Sequence, residues 1–407
     1  MTDSRFTRYG KLASIFWILS ILAVSIWATV PGYTIGWDSN VYVKAIQSIQ
    51  AGHDPYVDGI SAQVLYHQRT VHLPTDQIPY TYVYSPMTLP LLRALGHLPM
   101  AAVDVMFWTI YFAGMLLAVW VGMQFVEPQE RRVFALLAPV AIFFPGLLQN
   151  DVLFSGNIAF ILYGLILPAA LLGWRRGRWT AFYVAVLVAS CWKAPLLTLL
   201  VLPVMSAESQ IVPAGATFAL GAGLFAAQPR LWPVLFQNFL RAVDLQFQWN
   251  HDFGCNPAGV LADVLYAVLP YRLVYGAGYA VVGLVVVGVL WRLRPKFLSG
   301  EIPLTRWAPL LLVSVVLLNP RIMEYDVVAV TVPMALLMWR FFAGWFRRQR
   351  NVAVAMVIFF GVINGFAPFA WNGYAPFVGV AVQGAVLAIV FAAGVWEMMR
   401  VASVERH

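Results

Sequence analysis

Three charged residues sit where the surrounding chain is too apolar to carry charge casually. Asp38 directly follows the first apolar run, in Gly36-Trp37-Asp38-Ser39-Asn40. A carboxylate beside lipid-soluble segments loses water, which disfavours the charged form and suits it to take a proton from an alcohol. The same residue could instead cap a helix beginning at Ser39-Asn40, stabilised by the positive helix start. Lys193 lies between Trp192 and Pro195 inside an apolar stretch. A charge at membrane depth costs about 2.5–3.5 kcal/mol on insertion scales, so this amine snorkels to an interface, pairs with an acid such as Asp151, or binds a phosphate. Arg321, in the run from Asn319 to Asp326, is a second candidate phosphate ligand, because a guanidinium grips anions through two hydrogen bonds. A salt-bridge cluster with Glu324 and Asp326 would explain the same charges.

The other polar residues narrow the chemistry. Trp37, Tyr42, Tyr82 and Tyr84 could stack on a sugar face, whereas most of the remaining Trp and Tyr read as interfacial belts. His53, His67, His72 and His251 are scattered without i,i+3 or i,i+4 pairing, so no metal site is expected. Cys191 and Cys255 support neither a disulfide framework nor a zinc spacing. There is no P-loop, no GxSxG and no dinucleotide fingerprint, and no cofactor is expected.

The elements that must position these residues are membrane helices. The 407 residues are 61% hydrophobic and only 11% charged, with mean hydropathy +0.75, against about 25% charged in soluble domains. The expected fold is all-α: a polytopic integral membrane protein with about 11–12 transmembrane helices. Apolar spans are predicted at about 11–30, 104–126, 133–149, 157–173, 179–192, 194–206, 210–227, 271–291, 307–319, 326–343, 351–369 and 375–399. The first run is too long for a signal-peptide core and reads as a retained helix. The pair flanking Lys193 reads as broken helices, with Pro195 stopping the first. Non-helical backbone at membrane depth needs protein or a wet cavity beside it.

Net charge is +8, but the basic residues come in short clusters between spans, which argues against nucleic acid. Arg5/Arg8/Lys11, Arg131-Arg132, Arg175-Arg176-Gly177-Arg178, Arg292/Arg294/Lys296 and Arg347-Arg348/Arg350 fall in alternate loops, which makes that side, with both termini, cytoplasmic. One transmembrane domain, 1–407, is expected. Its long outer segments are a first extracytoplasmic loop at 31–103, carrying Asp38, and a second at 228–270. Within the first, Val41, Ala45 and Ile49 recur at helical spacing. An amphipathic interfacial helix is predicted over 40–51, capped by Ser39 or Asn40 and ended by Gly52. A second is predicted from about Leu231 to Phe247.

The series of short motifs resembles the bacterial alpha-1,2-mannosyltransferase family of the GT-C superfamily. Gly36-Trp37-Asp38-Ser39-Asn40-Val41-Tyr42, followed by Ala51-Gly52-His53-Asp54-Pro55-Tyr56, is similar to that family's opening. Tyr82-Val83-Tyr84-Ser85-Pro86-Met87 resembles its F-x-Y-x-P stretch. Phe154-Ser155-Gly156-Asn157 resembles its Q-x-N turn and Gly177-Arg178-Trp179 its R-G-R-W. Trp192-Lys193-Ala194-Pro195 resembles its K-x-x-P, and Asn319-Pro320 with Glu324-Tyr325 its late S-P…E-H turn. Two positions depart: the family's Gln is Phe154 or Ser155 here, and its late His is Tyr325, for which Arg321 could substitute.

The resemblance implies an inverting hexosyltransferase, with mannose as the sugar. The donor would be a polyprenyl-phosphate sugar and the acceptor a lipid or glycan hydroxyl. Asp38 would be the catalytic acid of the first outer loop, with no nucleotide and no required metal. Lys193 and Arg321 would hold the donor phosphate. Trp37, Tyr42, Tyr82, Tyr84, Asn157, Glu324 and Tyr325 would line the substrate. The chain would lie in the bacterial inner membrane among its lipids. Two rivals share these features: a carrier or flippase of lipid-linked sugars, and a polymerase or ligase consuming polyprenyl diphosphate. A carrier favours similarly broken helices in both halves, and only the break at Lys193 is visible.

Overall fold

The computed structural model describes residues 36–68, 79–130, 155–250, 253–348 and 376–404. Every regular element among them is helical. Four helices are long and apolar enough to cross a membrane: Met100–Met123, Ala159–Arg176, Glu208–Leu231 and Tyr271–Leu298. A 28-residue helix is about 42 Å long at 1.5 Å per residue, ample for a hydrocarbon core of about 30 Å. These helices also leave large apolar side chains uncovered, Val105, Leu116, Val281 and Leu284 among them. Exposed apolar side chains on helices of this length suit a lipid-facing surface. The spans expected at 11–30, 133–149 and 351–369 lie outside the described residues.

Packing divides the chain into two compact units, one made of 34–117 and 154–253, the other of 1–33, 118–153 and 254–407. The first contains α1 (Ser39–Gln50), α2 (Pro55–Gln68), α3 (Leu89–Leu95) and most of α4 (Met100–Met123). It continues through α5 (Ala159–Arg176), α6 (Thr180–Trp192), α7 (Val201–Ser206), α8 (Ile211–Leu231) and α9 (Pro233–Asn250). The amphipathic helix expected at 40–51 is α1, and that expected from Leu231 is α9, which begins at Pro233. α4 and α5 meet backbone to backbone. A Cβ on Gly164 would lie 2.2 Å from Gly114 Cα, and one on Gly114 would lie 2.4 Å from the Phe160 carbonyl oxygen. Small residues at a crossing let apolar helices associate through close packing. This contact fixes α5, whose start carries Asn157.

The second unit contains α10 (Pro257–Val264), α11 (Tyr271–Leu298), α12 (Leu304–Leu317), α13 (Glu324–Val328), α14 (Thr331–Arg348) and α15 (Pro376–Val404). α12 is buried continuously from Trp307 to Leu317, as expected of a helix that is apolar all round. α11 runs seven residues past the span end expected at 291, so Arg292, Arg294 and Lys296 belong to its last turns rather than to a loop. Cations there complement the negative helix end. Arg294 is buried, its guanidinium 5.2 Å from the Trp291 ring centre. A charge network ties the unit's polar end. Arg340 donates twice to Glu130, at 2.8 Å each, and to the carbonyls of Thr305 and Phe125. Arg306 pairs with Glu397 at 2.8 Å and with Glu127 at 3.5 Å.

Candidate functional site

The site grows from two loops of the first unit that lock together. α1 has an apolar face of Val41, Tyr42, Ala45 and Ile46, all buried; Ile49, expected on that face, is only half-buried. The N-cap position is Asp38, not Ser39 or Asn40, and the Asp38 side chain makes no cap hydrogen bond. The N–H groups such a cap would take are already bonded, Asn40 to the Gly36 carbonyl at 2.9 Å and Val41 to the Asp38 carbonyl at 3.1 Å, while the Ser155 carbonyl accepts the N–H groups of Asp38 at 2.8 Å and Ser39 at 3.3 Å. Ser39 Oγ turns back to the Gly36 carbonyl at 2.9 Å. Residue 156 must be glycine for this fit. Its φ is +74°, and a Cβ there would lie 2.7 Å from Ser39 Cβ and 3.0 Å from Ser39 N.

Asp38 is 8% exposed, and its carboxylate accepts a hydrogen bond from Asn157 Nδ2. Asn157 is 1% exposed and uses its whole amide. Oδ1 accepts the Ala159 N–H at 2.9 Å, starting α5, and the Lys193 ammonium at 3.1 Å. Nδ2 also reaches the Tyr84 hydroxyl at 3.4 Å. The amide orientation follows from its neighbours, since an ammonium only donates and a carboxylate only accepts. A neutral amide thus bridges an acid and a cation that are 155 residues apart in sequence. Lys193 reaches it because α6 ends at Trp192. Lys193 itself is extended, at φ −126° and ψ 92°, and a 3-10 segment over Ala194–Leu200 follows. The break expected at Pro195 is therefore present, and it carries the cation. Asp151, the alternative partner for Lys193, lies outside the described residues.

Behind the acid stands a wall of tyrosines. Tyr42 and Tyr84 share a 2.7 Å hydroxyl contact, and Tyr42 Oη accepts the Ile158 N–H at 3.1 Å. Tyr56 Oη donates to the Tyr84 carbonyl at 2.6 Å, and Tyr82 Oη meets Thr88 Oγ1 at 2.5 Å. Ser85 Oγ donates to the fully buried Gln228 at 2.7 Å. Burial pushes the phenols of Tyr42, Tyr56 and Tyr82 above their ordinary range, and for Tyr42 the charges of Tyr84 and Asp38 add to it. These groups stay neutral and keep their protons for hydrogen bonding. Their rings pack on one another, Tyr42 on Tyr84 at 5.3 Å and Tyr82 on Tyr84 at 5.4 Å. They therefore present a rigid wall rather than open stacking faces. Trp37 is half-buried, its ring 5.7 Å from that of Tyr80.

Arg321, Glu324 and Tyr325 belong to the second unit, on a turn held at several points. Asn256 Nδ2 donates to the carbonyls of Leu317 at 2.9 Å and Asn319 at 3.0 Å. Cys255 N–H bonds Ile322 at 2.7 Å, and Tyr279 Oη bonds Leu318 at 2.6 Å. Asp326 accepts the Met323 N–H at 3.0 Å, and the Arg321 N–H bonds Asn319 Oδ1 at 3.1 Å. Tyr325 is buried. Among the scattered histidines, His53 pairs with Asp58 at 3.3 Å and His67 packs on Trp249. Among the described residues no three His, Cys, Asp or Glu side chains gather as a metal site would require.

Ser155 and Gln228 carry parts of this arrangement that sequence reasoning passed over. For Ser155 the working atom is a carbonyl, which its residue type does not advertise. Gln228 did leave a trace, a lone amide near the end of an apolar helix. Comparison of the sequence with protein-family models and with curated proteins finds no match.

Proposed function

We propose that this chain is an inverting glycosyltransferase. It would move a hexose, mannose by the motif resemblance, from a polyprenyl-phosphate donor to a hydroxyl of a lipid or glycan acceptor. Asp38 is the general base. The acceptor oxygen attacks the anomeric carbon as the bond from that carbon to the phosphate oxygen breaks. The acceptor proton passes to Asp38, and polyprenyl phosphate leaves with the bonding electrons. Lys193 offsets the charge growing on the leaving phosphate. The product carries the anomeric configuration opposite to the donor's.

The observation that carries the reading is the Asp38–Asn157–Lys193 chain. A buried carboxylate that declines the cap role open to it is held instead by an amide whose other end holds a cation. General acid–base catalysis asks for a positioned proton acceptor, and a phosphate leaving group asks for a positioned cation. Asn157 positions both, so we assign it as a positioning residue rather than a substrate contact.

The test is turnover by purified protein in detergent, given a polyprenyl-phosphate mannose and a soluble alcohol acceptor. The reading requires a new glycosidic bond and one polyprenyl phosphate per product. A carrier makes no such bond and moves the intact donor across vesicle bilayers. That outcome would replace the enzyme reading.

A further inference from the structure

The closed end of the α5–α6 hairpin frames a groove unrelated to the Asp38 chemistry. α5 ends at Gly177, left-handed at φ +67°, whose N–H bonds the Gly173 carbonyl at 2.8 Å. Trp179 folds back over that turn, close enough that a Cβ at position 173 would lie 2.5 Å from its ring. The rings of Trp174 and Phe182 meet it edge-on at 5.9 and 5.3 Å. With Trp179 drawn inward and buried, Arg176 and Arg178 are left exposed on either side of the turn. They line an open cavity of about 600 Å³ together with Leu172, Thr180, Tyr183 and Gln210. Tyr183 Oη and Gln210 Oε1 are 3.0 Å apart. None of the lining residues is acidic.

We propose that this groove binds the phosphate headgroup of an anionic membrane phospholipid. Two guanidiniums beside a cavity suit a phosphate, which accepts paired hydrogen bonds. The apolar rim decides between a lipid and a soluble anion. Leu172 on α5 and Pro213 on α8 line the cavity beside the arginines, and Leu172 is 43% exposed. They lie at the ends of helices of membrane-spanning length. Inorganic phosphate would use the arginines alone, whereas a phospholipid covers the rim as well. Basic pockets at the ends of spanning helices take anionic headgroups in this way. The uncapped start of α6, where Trp179 makes no side-chain cap bond, adds partial positive charge; the arginines and the cavity define the site. The lipid would brace the hairpin whose other end carries Asn157 and Lys193. The inference does not rest on the transfer reaction.

The experiment is native mass spectrometry of the full chain in detergent, titrated with phosphatidylglycerol or phosphatidylcholine. Wild type should retain one phosphatidylglycerol in preference to phosphatidylcholine. Arg176→Gln with Arg178→Gln should weaken that retention about 30-fold. Arg292→Gln with Lys296→Gln removes the same charge from another basic cluster and should weaken it less than threefold. Leu172→Ser keeps the arginines and should also reduce phosphatidylglycerol binding. Equal losses in the two double variants would reduce the effect to net charge and overturn the site. Competition by inorganic phosphate at concentrations similar to the lipid's, with no effect of Leu172→Ser, would make it a soluble-phosphate site and overturn the lipid assignment.

Discussion

Asn157→Leu removes the amide that joins the acid to the cation while keeping the branched outline of the side chain. The magnitude follows from its partners. Hydrogen bonds to charged groups contribute about 1.5–3 kcal/mol each, and Asn157 makes two, to Asp38 and Lys193, giving roughly 3–6 kcal/mol. The bond to the Ala159 N–H adds about 0.5–1.5 kcal/mol. Part of this is recovered when Asp38 and Lys193 regain water or approach each other, so a net loss of about 3–5 kcal/mol is expected. Asn157→Asp separates the terms. It keeps an acceptor for Lys193 and Ala159 but sets a second carboxylate against Asp38, so its cost should grow as pH rises and both acids ionise. The assay is equilibrium unfolding in mixed micelles across pH, with wild type as reference. An Asn157→Leu protein within about 1 kcal/mol of wild type would refute the bridge, since one such bond alone contributes more.

Three further outcomes follow from the packing. Arg340→Met strands Glu130 in a buried network and should cost about 3–5 kcal/mol, with Glu130→Gln in the same chain restoring part of it; an additive double variant in the same unfolding assay would contradict the pairing. Gly164→Ala forces apart helices whose backbones touch, at about 1–3 kcal/mol, and should lower the thermal midpoint; an unchanged midpoint would mean that α4 and α5 do not cross there. Tyr42, Tyr56 and Tyr82 have pKa values above those of the unfolded chain, so they bind more protons when folded. Their stabilising contribution is complete below about pH 10 and falls as pH rises beyond it. Phenolate absorbance should show these three ionising only with unfolding, and titration of every tyrosine in the native protein near pH 10 would count against their burial.

Local punctuation in the sequence was readable. Pro195 announced the break after Trp192, and the apolar period announced α1 and α9, because both signals act within a few residues. The face of α1 was harder. The expected stripe of Val41, Ala45 and Ile49 is observed as Val41, Tyr42, Ala45 and Ile46, turned by the Tyr42 hydroxyl bonding Ile158, 116 residues away. Asp38 was legible as an outlier but not in its role. Backbone carbonyls of Gly36 and Asp38 take the N–H groups a side-chain cap would use, and the carboxylate bonds Asn157 from a distant loop instead. Asn157 was named only through the motif resemblance, and its bridging role depends on partners 119 and 36 residues away. Contacts of that span come from tertiary packing, which residue spacing does not encode.

The central claim is that Asp38 takes the acceptor proton. The most direct measurement compares initial rates of sugar transfer from a polyprenyl-phosphate donor by purified wild type and by Asp38→Asn, with unfolding midpoints recorded to show that both are folded. Loss of a positioned base should lower kcat about 10²–10⁴-fold with little change in donor KM. A folded Asp38→Asn protein transferring sugar at close to the wild-type rate would contradict the account.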